Sequence, residues 1–162
     1  MQTHYLEHAI LKHPFWAGLN PHFVHLLYRC ATVEHYGSGQ PIFQEHSQAE
    51  HFYLITKGQV LIHTFVPGKG YVPIQTLGPG DALGWSWLSP THEWQFSARA
   101  VEPCELIVFG GAGLREAAEE NRDFAYELTN RVAQVLLQRL QATRRSLIDF
   151  YEVPHEPTLV TT

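Results

Sequence analysis

From Thr32 to Phe109 the apolar residues come in short runs with a period of two, broken by glycine turns. Such a stretch closes into strands and not into helices. The runs His51-Phe52-Tyr53-Leu54-Ile55, Gln59-Val60-Leu61-Ile62-His63-Thr64-Phe65 and Glu105-Leu106-Ile107-Val108-Phe109 are rich in β-branched and aromatic residues. Between the strands lie Gly37-Ser38-Gly39, Lys57-Gly58, Pro67-Gly68-Lys69-Gly70 and Leu77-Gly78-Pro79-Gly80-Asp81. Nine of the twelve glycines fall between Gly37 and Gly110, as many tight turns require. Strands of this length with turns at this rate predict an antiparallel sandwich or roll.

On either side of that stretch the period becomes helical. Leu6, Ala9, Ile10 and His13 recur at helical spacing, and Asn20-Pro21 is a cap ahead of an amphipathic segment with Phe23, Leu26 and Leu27 on one face. After Gly110-Gly111, Leu114 to Asn121 reads as a short helix and Arg122 to Tyr151 as a long one. The long helix carries two apolar stripes. Leu136, Leu140, Thr143, Leu147 and Phe150 follow at spacings 4, 3, 4 and 3, while Phe124, Leu128, Val132 and Val135 run beside them. Either one stripe packs on the roll and the other meets a second copy in a homodimer, or both make one wide face on the chain's own domain. Pro154 and Pro157 stop the helix. The fold expected is α+β: N-terminal helices over 1–31, an antiparallel β-roll of double-stranded β-helix or jelly-roll kind over 32–112, C-terminal helices over 113–151, and a loose tail over 152–162.

Composition narrows the function classes. Eleven Lys and Arg against sixteen Asp and Glu give a net charge of −5, which argues against a chain that grips nucleic acid or an anionic membrane. No run approaches the roughly 18 apolar residues of a membrane helix, and the N-terminus lacks a signal-peptide pattern, so a cytoplasmic location is expected. Cys30 and Cys104 stand far apart without a CxxC, which predicts reduced thiols and excludes a metal site built on cysteine. No His-x-His pair marks the metal site of a cupin; His46, His51, His63 and His92 lie in the roll without that spacing. Glu34-His35 and Glu45-His46 are neighbours on strands, so their side chains diverge. No nucleophile elbow or phosphate loop is present, and neither a catalytic nor a metal-binding residue is expected.

The order of helices, glycine-punctuated strands, short helix and long helix resembles the cyclic-nucleotide-binding domain family. The detail lies in Gly39-Gln40-Pro41-Ile42-Phe43-Gln44-Glu45, His51 to Val60, Leu77-Gly78-Pro79-Gly80-Asp81-Ala82-Leu83-Gly84 and Ala100-Val101-Glu102-Pro103-Cys104-Glu105-Leu106. The likeness runs from residue 13 to 150 and is similar to the sensor halves of bacterial regulators of the catabolite-activator and anaerobic-regulator type. It implies a regulatory domain in which a ligand repositions the terminal helices for a partner protein to read. Those regulators place a helix-turn-helix domain after the long helix. About a dozen residues follow Phe150 here, and the helix arginines are offset by acids, so direct DNA binding is not expected.

The resemblance also implies a phosphate-binding cassette: a Gly-Glu pair whose Glu holds the ribose hydroxyl, and about ten residues on an Arg for the cyclic phosphate, with backbone N–H groups from a helix start. Here the Gly is Gly84, but Trp85 stands at the Glu position, Trp94 at the Arg position and Gln95 beside it. A family glycine before the third strand is replaced by His46. Cyclic AMP binding of the ordinary kind is therefore not expected, and no cofactor is. Leu83, Gly84, Trp85, Ser86, Trp87, Leu88, Trp94, Gln95 and Arg99 are the candidate ligand-binding residues. Arg99, with the parity of Gln95, either reaches the pocket or lies exposed on its strand. The tryptophans either plug the old pocket, leaving a structural or interaction module, or line an aromatic pocket for a flat small molecule. A haem sensor using His or Cys104 as axial ligand is a further alternative.

Overall fold

The computed structural model describes residues 2–85 and 92–151. The candidate residues Ser86, Trp87 and Leu88 and the tail expected to be loose lie outside the described residues.

The chain opens with α1 (Gln2–Lys12) and α2 (Val24–Tyr28), linked by 3-10 turns at Pro14–Trp16 and Pro21–Phe23. Both turns begin with proline and are capped from the preceding side chain: His13 accepts from the Phe15 N–H, and Asn20 from the His22 N–H. Eight strands follow: β1 (Ala31–Tyr36), β2 (Pro41–Phe43), β3 (His51–Lys57), β4 (Val60–Val66), β5 (Gly70–Leu77), β6 (Ala82–Leu83), β7 (Ser97–Ala100) and β8 (Cys104–Gly110). They form two four-stranded antiparallel sheets, ordered β1-β8-β3-β6 and β2-β7-β4-β5. This is the α+β roll that the period-two stretch and its turns predict.

β3 and β8 are buried on both faces, which is why they read as near-continuous apolar runs. On one face Phe52 and Phe109 meet Phe15 and Trp16 of the N-terminal turn. On the other, Tyr53 meets Phe43 of the second sheet at 5.7 Å between ring centres. Glu105, buried on β8, is the polar exception. The Tyr5 and Thr56 hydroxyls donate to it, and Lys57 and His35 lie at 3.5 and 3.3 Å, so the network joins α1, β1, β3 and β8. Burial alone would raise its pKa, but these hydrogen bonds and the Lys57 charge lower it.

Two helices close the fold, α3 (Gly111–Glu120) and α4 (Arg122–Tyr151). Asn121 caps α4 by accepting from the Asp123 and Phe124 N–H groups. Phe124, Leu128 and Val132 are buried and Val135 is half-buried against the core. Each full burial contributes about 1.5–3 kcal/mol and holds the first half of α4 to the domain. The other stripe stays in solvent: Leu136, Leu140 (65%), Leu147 and Phe150 are exposed. The two stripes are thus separate faces in this chain, not one broad one.

Candidate ligand-binding site

Construction starts at the turn that leads into the cassette. The Asp81 carboxylate accepts from the Gly78 N–H at 2.9 Å, and the Asp81 backbone pairs with Gly78 and Ile55. That fixes β6 on β3, with Tyr53 opposite Leu83 and Leu54 opposite Ala82. Gly84 follows at φ +92°, a left-handed conformation that L side chains rarely adopt. A Cβ on Gly84 would lie 2.9 Å from the Trp94 ring and 3.0 Å from that of Tyr53. Glycine is required there twice over, by backbone and by space.

Trp94 is 2% exposed and stacks on Phe43 with ring centres 3.8 Å apart and planes 11° from parallel. Its backbone is held from both sides, the N–H donating to the Ser47 carbonyl and the carbonyl accepting from the His46 N–H. His46 itself sits at φ +69°, in the conformation for which the family resemblance expects glycine. Two short anchors, the 46–49 turn and β2, therefore fix the indole over Gly84. This is a well-packed aromatic cluster worth more than its area alone.

Trp85 is half-buried. Its ring meets Phe96 edge-on at 5.3 Å, and the Arg139 guanidinium of α4 lies over it at 5.8 Å. Arg139 also donates to the Ala82 carbonyl, while its Nε, buried, has no acceptor among the described residues. Burial lowers the Arg139 pKa and the Asp81 charge opposes that fall. Arginine keeps its proton regardless. Arg139 escapes a strand-centred reading of the sequence, yet a signal exists. It is the next position, at spacing 4, of the stripe Phe124, Leu128, Val132, Val135, where a charge is out of place.

The structure thus brings Leu83, Gly84, Trp85 and Trp94 together and leaves two candidates elsewhere. Gln95 is exposed, its amide donating to the Glu93 carbonyl. Arg99 pairs with Leu61 and Pro41 across the ladder and is exposed, whereas Ala98 and Ala100 on either side of it are buried. Its side chain is on the outer face of its sheet, away from Trp94.

A profile of the family described as "Cyclic nucleotide-binding domain" matches residues 33–121, more than half of the chain, and the chain belongs to that family. The relative named cyclic AMP receptor protein, from Thermus thermophilus, is 34% identical over 95 residues, which are 58% of this chain and 44% of the relative. The chain therefore spans less than half the length of that relative. Among solved structures, the catabolite activator protein of Thermus thermophilus superposes with a TM-score of 0.68 at 25% identity, over 85% of this chain and 63% of the other. A cyclic nucleotide-binding domain from Methylobacillus flagellatus superposes with a TM-score of 0.80 at 18% identity, over 91% and 84%, a likeness of fold. Among the described residues no helix is long and apolar enough to cross a membrane.

Proposed function

We propose that this chain is a non-catalytic regulatory domain whose interior does not take a cyclic nucleotide in the family's usual way, and that α4 carries its signal. The observation behind this reading is the Trp94 indole, buried against Phe43 and Gly84 at the position where the resemblance puts the phosphate-binding arginine. A buried phosphate needs a cation and several donors, and an indole offers a single N–H. Trp85 at the ribose-binding glutamate position removes the second anchor. The test is titration calorimetry with cyclic AMP, cyclic GMP and cyclic dinucleotides. No saturable heat at millimolar ligand is expected; a stoichiometric isotherm overturns the reading, and would fit the name of the Thermus relative.

The exposed stripe of α4 supports a second element, pairing of two copies through Leu136, Leu140, Leu147 and Phe150 at coiled-coil spacing. Arg139, one turn into that region, joins the same helix to the cassette turn at Ala82 and to Trp85. A ligand or partner that prefers one position of α4 would shift the pair. Light scattering of the full chain is expected to give a dimer that Leu140→Glu with Leu147→Glu converts to monomer. A monomer at every concentration sinks the pairing.

A further inference from the structure

The roll also carries open space outside the interior cluster. A groove of about 540 Å³ lies on the outer face of the sheet β2-β7-β4-β5, lined by Leu61, His63, Phe65, Tyr71, Ser97 and Arg99, among others. That volume is in the range of small-molecule sites. We infer that this outer groove is a binding site for a flat aromatic molecule carrying one acid group.

Three features point to that chemistry. Arg99 lines the groove and makes no ion pair among the described residues, and its planar guanidinium is a fork suited to a carboxylate or sulfonate. Phe65 (53% exposed) and Tyr71 (72%) stand edge-on at 5.6 Å and form an aromatic wall open to solvent. His63, edge-on to Tyr71 at 5.3 Å, has a buried Nδ1 with no hydrogen-bond partner among the described residues, so a polar group on the ligand would complete it. Burial first, and the Arg99 charge second, lower its pKa and favour the neutral ring, against the pull of Glu45.

Glu45 limits how much negative charge the groove can take. Its two oxygens accept from the Thr64 hydroxyl at 2.8 Å and the Phe65 N–H at 2.7 Å, so it is a structural brace of the groove. It lines the same groove as Arg99 and His46 and keeps its negative charge there. A carboxylate in the lining repels a dianion more than a group of single charge held on the Arg99 side. Leu61, His63 and Arg99 lie on the opposite side of the sheet from Trp94, while Phe43 and Ala98, which belong to the inner packing, border the groove at one edge.

The experiment is an amide NMR titration of the full chain with naphthalene-2-sulfonate and, separately, its neutral sulfonamide. Saturable shifts are expected at Leu61, His63, Phe65, Ser97 and Arg99, with the sulfonamide weaker by about tenfold. Arg99→Gln should weaken sulfonate binding by about tenfold, and Arg99→Lys by less. Arg99 is exposed, so a native spectrum of the variant is the folding check, and Tyr71→Ala should lose the sulfonate as well. Absence of saturable shifts at millimolar probe overturns the inference. So do shifts centred on Gly84 and Trp94 or on the apolar stripe of α4, equal affinity for the sulfonamide, or binding unchanged by Arg99→Gln. Heat from a cyclic nucleotide would overturn only the interior reading and leave these shifts as they are.

Discussion

The sheet β2-β7-β4-β5 has two faces made from alternate residues of the same strands. Ile62, Ala98 and Ala100 look inward, where Phe43, Tyr53 and Trp94 complete an aromatic packing with no space for a methyl group at Gly84. Leu61, His63 and Arg99, each one residue over, look outward and line an open groove. Among the described residues its cation has no ion pair and its buried imidazole nitrogen no hydrogen bond. The contrast teaches that chemistry on a strand is assigned by parity. An arginine a few residues from a cassette is of no use to it when it falls on the other side of the pleat.

The largest expected effect is on the inner face. Trp94→Ala should cost about 3–5 kcal/mol in urea denaturation, because the stack on Phe43 is lost and a cavity remains. Millimolar indole should then restore part of the midpoint, since a dry apolar cavity takes such a guest. A near-wild-type midpoint would break the claim that this face is closed. Next comes Gly84→Ala, at about 1–3 kcal/mol from the left-handed backbone and the contact with Trp94. Combined with Trp94→Ala it should be less than additive by about 0.5–3 kcal/mol, because the double variant removes the clash. Strict additivity would mean that the two do not touch.

On the outer face, Tyr71→Ala should change stability by no more than about 0.5 kcal/mol, as an exposed side chain away from caps and core does. A larger loss would make the aromatic wall part of the core and blur the two faces. The smallest effect is a titration. His63 should lose its proton at a pH below the ordinary imidazole value of about 6.5, which is where the unfolded chain binds it. The stability from His63 is therefore present above that value and lost as pH falls through the folded pKa. Imidazole NMR across pH 5 to 8 should show Arg99→Gln moving the midpoint upward, with burial leaving it below the ordinary value; no movement would place Arg99 away from His63.

The sequence makes the roll legible for a physical reason. A period of two with glycine turns has few ways to close, and the two stripes of α4 are visible because 3.6 residues per turn separates them before any packing is known. The indole at the position where the resemblance puts the cation is also readable, by alignment from Ala100-Val101-Glu102-Pro103-Cys104. What Trp94 rests on is not: Phe43 and Tyr53 come from strands distant in the chain, and only the closed roll brings them there. Arg99 shows a subtler limit. Its parity with Gln95 counts only along a continuous strand, and β7 begins at Ser97, so the alternation that matters is with Ala98 and Ala100. Arg139 lies in a stripe whose period announces a buried position, but the target of a buried cation is a matter of tertiary geometry.

The way α4 is fastened has a mechanical consequence. Its first half is clamped by a patch of apolar side chains, whereas beyond Val135 the described grip on the roll is the Arg139 side chain, on Ala82 and over Trp85. The helix is about 45 Å long at 1.5 Å per residue, so its distal half is a cantilever with a rigid root and, among the described residues, Arg139 as its pin. Load applied at Leu147 or Phe150 is delivered as torque to that pin, and hence to the Asp81–Gly84 turn. A change that seats or unseats the guanidinium changes how stiffly the far end is aimed, with the root of the beam left where it is.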